Sequence, residues 1–206
     1  MEGRPVPESK AELRQSMLAR RRAWPAAERD HASARLCSLL ASWLHHSGVA
    51  GHAGATLGVY LASPWEANLD GLIQALLVSG IPVAAPRVDL QRDEISFWRL
   101  PSLQSVETGV WGLREPHAVE PGDTLDLVLV PGVAFDAWGS RLGMGGGWYD
   151  RFLAGGARSV GIAFDWQLVA EVPCESHDRA VEAVVTPGGW FSGGVARADG
   201  PDWDFD

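Results

Sequence analysis

The sequence predicts a three-layer α/β/α sandwich with a mostly parallel central sheet. Three observations lead there. Short apolar runs alternate with helical stripes along most of the chain, the order of βαβ units. Residues 125–130 form an apolar run of the kind that a central parallel strand, covered on both faces, requires. The 206 residues, 46% hydrophobic and 21% charged, suit one domain. A chain of that size buries about 70% of the surface its unfolded form exposes.

Ser9 and Glu12 make a capping box that starts a first helix near Lys10, with Leu13, Met17 and Leu18 on its apolar side. Pro25 opens a second helix, where Leu36, Leu39, Leu40, Trp43 and Leu44 recur at helical spacing and Gly48 is the stop. Residues 55–61 read as a buried strand, followed by a loop at 63–66. Leu69, Leu72, Ile73, Leu76 and Leu77 form the next stripe, closed by Gly80, and 81–85 are the following strand. That β-α-β order predicts a parallel pair with a right-handed crossover. Residues 95–100 form a shorter strand, Glu115 and Pro116 lie in a loop, and 158–164 and 181–186 supply two further strands. A short helix is expected at 149–153. From Gly193 to Asp206 the composition turns to Gly, Ser, Asp and Pro, so the domain is placed at 1–192 and a disordered tail at 193–206.

Ligands of open α/β sheets bind beyond the carboxyl ends of the strands. That rule gathers the loops at 63–66, 131–150 and 164–167. The middle one is the most informative. It runs Pro131-Gly132-Val133-Ala134-Phe135-Asp136 and continues as Arg141-Leu142-Gly143-Met144-Gly145-Gly146-Gly147-Trp148-Tyr149-Asp150-Arg151. Glycines let a backbone approach a ligand closely, and a helix N-terminus aims free N–H groups at an anion. Arg141 and Arg151 add permanently charged donors suited to phosphate oxygens. The segment reads as a phosphate cradle, with a plain tight turn as the competing reading. It is not a Walker loop, which needs Lys-Ser/Thr after its last glycine. Nor is it the dinucleotide fingerprint, since Trp148 stands at the third glycine position.

A formal net charge of −9 argues against general nucleic-acid binding. Positive charge is concentrated in residues 10–35, which hold the single lysine, Lys10, and six arginines. Cys37 and Cys174 have neither metal spacing nor an implied disulfide. With no apolar signal run or membrane-length stretch, a cytoplasmic setting and no membrane partner are expected.

The glycine-rich segment resembles the signature of the 5-formyltetrahydrofolate cyclo-ligase family, also called 5,10-methenyltetrahydrofolate synthetase. Outlying residues agree in order: Lys10 and Arg14, Tyr60 and Glu66, Glu115-Pro116, Val172-Pro173, His177-Asp178 and Thr186. The resemblance spans about residues 10–187. It implies an ATP- and Mg²⁺-dependent closure of 5-formyltetrahydrofolate to 5,10-methenyltetrahydrofolate, with ADP and phosphate released. By the same resemblance ATP would be held by Lys10, Arg14, Arg141, Leu142, Gly143, Met144, Gly145, Gly146, Gly147, Trp148 and Tyr149. Catalysis would fall to Arg151 and Arg141, which stabilise phosphoryl charge. Folate would lie on Leu61, Glu66, Met144 and Trp148, and Mg²⁺ on Asp150 and Asp178. Helix capping competes for Asp150, a surface ion pair for Arg14 and for Arg151, and a solvent-facing carboxylate for Glu66. Trp148 replaces a tyrosine found in many members. A monomer is expected. Two further readings stay open: a sugar-phosphate isomerase or CoA-transferase-like enzyme, and a non-catalytic folate or nucleotide-binding module.

Overall fold

The computed structural model describes residues 9–47, 55–122 and 124–203. The first helix, α1 (Lys10–Ala23), starts where expected: Ser9 Oγ accepts the Glu12 N–H at 3.3 Å and donates to the Glu12 carboxylate at 2.9 Å. Pro25 is the N-cap of α2 (Ala26–His46). Gly48, the expected stop, lies outside the described residues.

An eight-stranded mixed sheet follows. Its strands are β1 (Leu57–Gly58), β2 (Val83–Asp89), β3 (Glu94–Arg99), β6 (Leu127–Pro131), β9 (Ser159–Ile162), β10 (Ala183–Thr186), β11 (Gly189–Ser192) and β12 (Val195–Arg197). Their order is β12-β11-β10-β9-β6-β1-β2-β3. The inner run from β10 to β2 is parallel, and β3, β11 and β12 add antiparallel edges. The crossover from β1 to β2 is α3 (Asp70–Val78). Two small hairpins, β4 (Val106–Thr108) with β5 (Arg114–Pro116) and β7 (Ala134–Phe135) with β8 (Arg141–Leu142), stand apart from the sheet. The last helix is α4 (Trp148–Leu153).

The pleat explains the layers. Leu57, Leu127, Leu129, Val160 and Val185 point to one face and pack on Leu36, Leu40 and Leu44 of α2 and Leu72, Ile73 and Leu76 of α3. Val128, Val130 and Val184 point the other way, onto Phe135 and Leu153. Each fully buried aliphatic side chain contributes about 1.5–3 kcal/mol. Phe135 lies so close to the sheet that a Cβ at Gly161 would come within 2.5 Å of its ring. Leu13 and Met17 of α1 pack on Val133, Ala134, Leu142 and Val172, which docks α1 against the β7–β8 hairpin.

Two expectations are corrected. Glu115 and Pro116 belong to β5 rather than a loop, because Glu107 and Glu115 face each other in register across the β4–β5 hairpin. Residues 193–203 are not a disordered tail. Val195–Arg197 pairs with β11, the Trp43 indole donates to the Pro201 carbonyl at 2.9 Å, and Trp203 stands edge-on to Trp43. Trp43, on α2, thus anchors a polar segment distant in the chain, through the Pro201 carbonyl and the Trp203 ring. Residues 204–206 lie outside the described residues.

Candidate active site

A cleft of about 660 Å³ opens beyond the carboxyl ends of β1 and β6, walled on one side by α1. Two of the three expected loops line it, through Leu61, Ser63 and Glu66 and through Pro131 to Val133 and Arg141 to Asp150. The third braces it from behind: Gln167 Nε2 donates to the carbonyls of Gly132 and Val133 at 2.9 and 3.1 Å.

The α1 wall is cationic. At about 100° per residue, Lys10, Arg14 and Arg21 fall within about 40° of one another. All three line the cleft. Lys10 Nζ meets Asp178 Oδ2 at 2.5 Å and Glu175 Oε2 at 2.9 Å. Burial pulls the Lys10 ammonium down, but its hydrogen bonds to Asp178 and Glu175 outweigh that and raise it above the ordinary lysine value. Burial likewise pushes the Asp178 carboxyl up, and the Lys10 bond together with the Glu175 N–H holds it below the ordinary value. Arg14 Nε donates to the Gly143 carbonyl at 2.9 Å and so ties α1 to the glycine loop. Arg21 is 8% exposed and donates to the Gly132 carbonyl at 2.7 Å.

Facing α1 is the loop between β8 and α4. Gly145 and Gly147 have φ of 107° and 68°, which side-chain-bearing residues rarely adopt. Gly147 is the N-cap of α4, so the chain enters that helix from a left-handed residue with its N–H groups free of side-chain caps. Upstream, buried Asp136 shapes the β7–β8 turn: its carboxylate accepts N–H groups of Trp138, Ser140 and Val172 at 3.0, 2.9 and 3.0 Å. That network, unassigned in the sequence reading, explains the aspartate at the end of the first half of the motif.

Arg141 Nη2 meets Asp150 Oδ2 at 3.0 Å, and the Arg179 N–H donates to Asp150 Oδ1 at 3.1 Å. The arginine also lies over the Tyr149 ring at 5.6 Å. Tyr149 lines the cleft with a buried hydroxyl that has no partner among the described residues. Burial raises its pKa far above the ordinary tyrosine range, Glu66 adds to that and Arg141 opposes it, so the phenol stays a neutral donor. Glu66 Oε2 accepts the Ser63 N–H at 2.9 Å. Tyr60, beneath it, donates its hydroxyl to the Ala67 carbonyl at 2.8 Å.

Trp148 stacks on Trp111 at the cleft mouth, with ring centroids 5.1 Å apart and planes 15° apart, and its indole donates to Asp93 Oδ1 at 2.9 Å. Met144 beside it is exposed. Arg151 is brought elsewhere. Its guanidinium reaches Asp93, with an ion pair at 3.1 Å and a hydrogen bond to the backbone carbonyl, and it does not line the cleft. The two expected metal ligands also differ in setting. Asp178 groups with Glu175 and His177, whose ligand atoms all lie within 4.8 Å of one another, whereas Asp150 is taken by Arg141 and the Arg179 N–H. The sequence reading missed Arg21, Trp111 and Glu175. Helical phase with Lys10 and Arg14 would have singled out Arg21; nothing periodic marks the other two.

The arrangement offers cations and free amides to a polyanion on one side, and a carboxylate, a phenol and flat rings to a polar aromatic ligand on the other. The family model described as the 5-formyltetrahydrofolate cyclo-ligase family matches residues 6–187. The chain belongs to that family. A 5-formyltetrahydrofolate cyclo-ligase of Mycolicibacterium smegmatis is 33% identical over 195 residues, covering 88% of this chain and 95% of the relative. The cyclo-ligase of Escherichia coli K12 is 35% identical over 144 residues, covering 64% of this chain and 78% of the relative. Among solved structures, the 5,10-methenyltetrahydrofolate synthetase of Aquifex aeolicus superposes with a TM-score of 0.77 at 30% identity, covering 91% of this chain and 94% of that one. The synthetase of Mycoplasma pneumoniae has the same fold, with a TM-score of 0.69 at 22% identity and coverage of 87% and 99%. Among the described residues no helix is long and apolar enough to cross a membrane.

Proposed function

We propose that the cleft binds ATP and 5-formyltetrahydrofolate together and closes the folate's one-carbon ring, yielding 5,10-methenyltetrahydrofolate, ADP and phosphate. The observation that carries this reading is the opposition across one cleft of a cationic helix face, Lys10 and Arg14, and a loop of left-handed glycines, Gly145 and Gly147. Such an opposition suits a triphosphate gripped from two sides.

In this reading the γ-phosphoryl group passes to the formyl oxygen, which turns a poor leaving group into a good one. N10 of the folate then attacks the activated carbon, and the C–O bond breaks to release phosphate. Little covalent work is left to the protein, so alignment and charge neutralisation carry catalysis. Lys10 would exchange its carboxylate partners for phosphate oxygens. Arg141, nearly dry and already oriented by Asp150, would face charge on the moving group. Glu66 and the Tyr149 hydroxyl would orient the folate ring, with Leu61, Met144 and Trp148 against its flat faces.

The carboxylates of Asp178 and Glu175 fit Mg²⁺, which takes one or two carboxylates together with substrate phosphates. Bound there, Mg²⁺ would neutralise phosphate charge. Asp150, held by Arg141, serves better as the partner that orients that arginine.

Absorbance of the methenyl product and release of ADP, followed together, test the proposal. Product growth that requires both ATP and Mg²⁺ is expected. Folate binding with no product would assign the chain to the binding-module reading instead.

A further inference from the structure

Arg21 is the buried cation of the α1 wall, and the ATP reading does not use it. It is buried, yet no carboxylate stands within ion-pairing distance of it among the described residues. Its single hydrogen bond among the described residues goes to the Gly132 carbonyl, which already accepts from Gln167 at 2.9 Å. None of its other nitrogens is sealed from solvent without a partner, so its remaining N–H groups are left to the cleft that Arg21 lines, where a ligand can take them. Burial lowers its pKa below the ordinary arginine value, while the negative charge of Glu66 reaches it and works the other way.

Position decides which ligand. Seven residues separate Arg14 from Arg21, about 10 Å along the helix axis. Arg21 therefore lies past the point where Arg14 meets the glycine loop, beside the Gly132 carbonyl, in the same cleft that Glu66 lines and within reach of that carboxylate's charge. A phosphate there would meet the repulsion of Glu66. A neutral ring that presents an N–H beside a C=O satisfies both groups at once. Glu66 Oε2 is already engaged by the Ser63 N–H, which leaves Oε1 to accept from the ring. The nearby Tyr60 hydroxyl is committed to Ala67 and does not compete.

We infer that Arg21 is a substrate-specificity residue: with Glu66 it reads the cyclic-amide edge of the pteridine, donating to the 4-carbonyl while Glu66 accepts the adjacent N–H groups. The inference rests on the folate lying against Glu66. It adds a donor to the carboxylate and makes the pair a discriminator between 4-oxo and 4-amino pteridines, since the latter offers a donor where Arg21 needs an acceptor.

Quenching of intrinsic tryptophan fluorescence, without ATP, measures affinity for 5-formyltetrahydrofolate and for its 4-amino counterpart. The unaltered protein should prefer the 4-oxo compound by about 100-fold or more, as sites built to pair a polar group do. In Arg21→Met the ratio should collapse to within about threefold, while KM for ATP changes by less than about twofold. Arg21→Lys, which keeps a donor and serves if the Met variant fails to fold, should retain an intermediate ratio. Equal weakening of both compounds would mean that Arg21 only supports α1, and would overturn the inference. So would a raised KM for ATP with the ratio intact. A protein that shows the ratio but forms no methenyl product would sink the cyclo-ligase reading and leave Arg21 in its assigned place.

Discussion

Arg141 and Asp150 meet at 3.0 Å with side chains only 4% and 14% exposed, so a nearly dry ion pair joins β8 to the first turn of α4 across the glycine loop. The pair closes the loop's two ends on each other. Removing one partner of such a pair leaves a buried charge uncompensated, at about 3–5 kcal/mol.

Asp150→Asn should therefore lower unfolding free energy by about 3 kcal/mol in a urea titration. Its Mg²⁺ requirement should stay that of the unaltered protein, whereas Asp178→Asn should need more Mg²⁺. A shifted Mg²⁺ titration for the Asp150 variant would return that residue to the metal.

Lys10 and Asp178 set a pH window. The raised Lys10 pKa stabilises the fold below its unfolded value of 10.5, and that contribution disappears as pH climbs through the folded value above it. The depressed Asp178 pKa stabilises above its unfolded value of 3.8 and is lost as pH falls through the lower folded value. Melting temperatures of the unaltered protein and Lys10→Met should differ by a constant amount between about pH 5 and 9 and converge on either side. A difference that stayed constant down to about pH 2 would contradict the pairing.

Gly147→Ala forces a side chain into φ of 68° and should cost about 1–2 kcal/mol of stability and raise KM for ATP. A Cβ at Gly146 meets nothing nearer than 3.4 Å, so Gly146→Ala should shift stability by less than about 0.5 kcal/mol. Paired denaturation curves compare them; equal losses would mean that crowding rather than backbone conformation governs the loop.

Arg141→Ala should reduce kcat by at least about 100-fold, as expected when a group facing transition-state charge is lost. Arg151→Ala, whose partner is Asp93, should cost less than about tenfold. Steady-state kinetics with saturating folate separate them. The reverse order would bring Arg151 into the cleft in the bound state.

The sheet was legible because Leu127 and Leu129 point one way and Val128 and Val130 the other, so burial on both faces left an apolar run. The glycine loop was legible because backbone conformation restricts residue choice there. Arg21 was not, since a run of three arginines looks alike until helical phase and burial separate the middle one. Trp111, at φ of 54° in the turn between β4 and β5, carries no periodic signal, and its stack on Trp148 joins segments far apart in the chain. The order at 193–203 escaped notice for a similar reason. Local composition there is polar, and the anchor is Trp43, on α2.

The shared face of Lys10, Arg14 and Arg21 makes α1 sensitive to length more than to identity. One residue inserted between Arg14 and Arg21 would swing the downstream side chains by about 100° and carry Arg21 out of the cleft, although every amino acid remained. Homologous chains can exchange side chains freely along the outer side of this helix, but gaps within it should be rare.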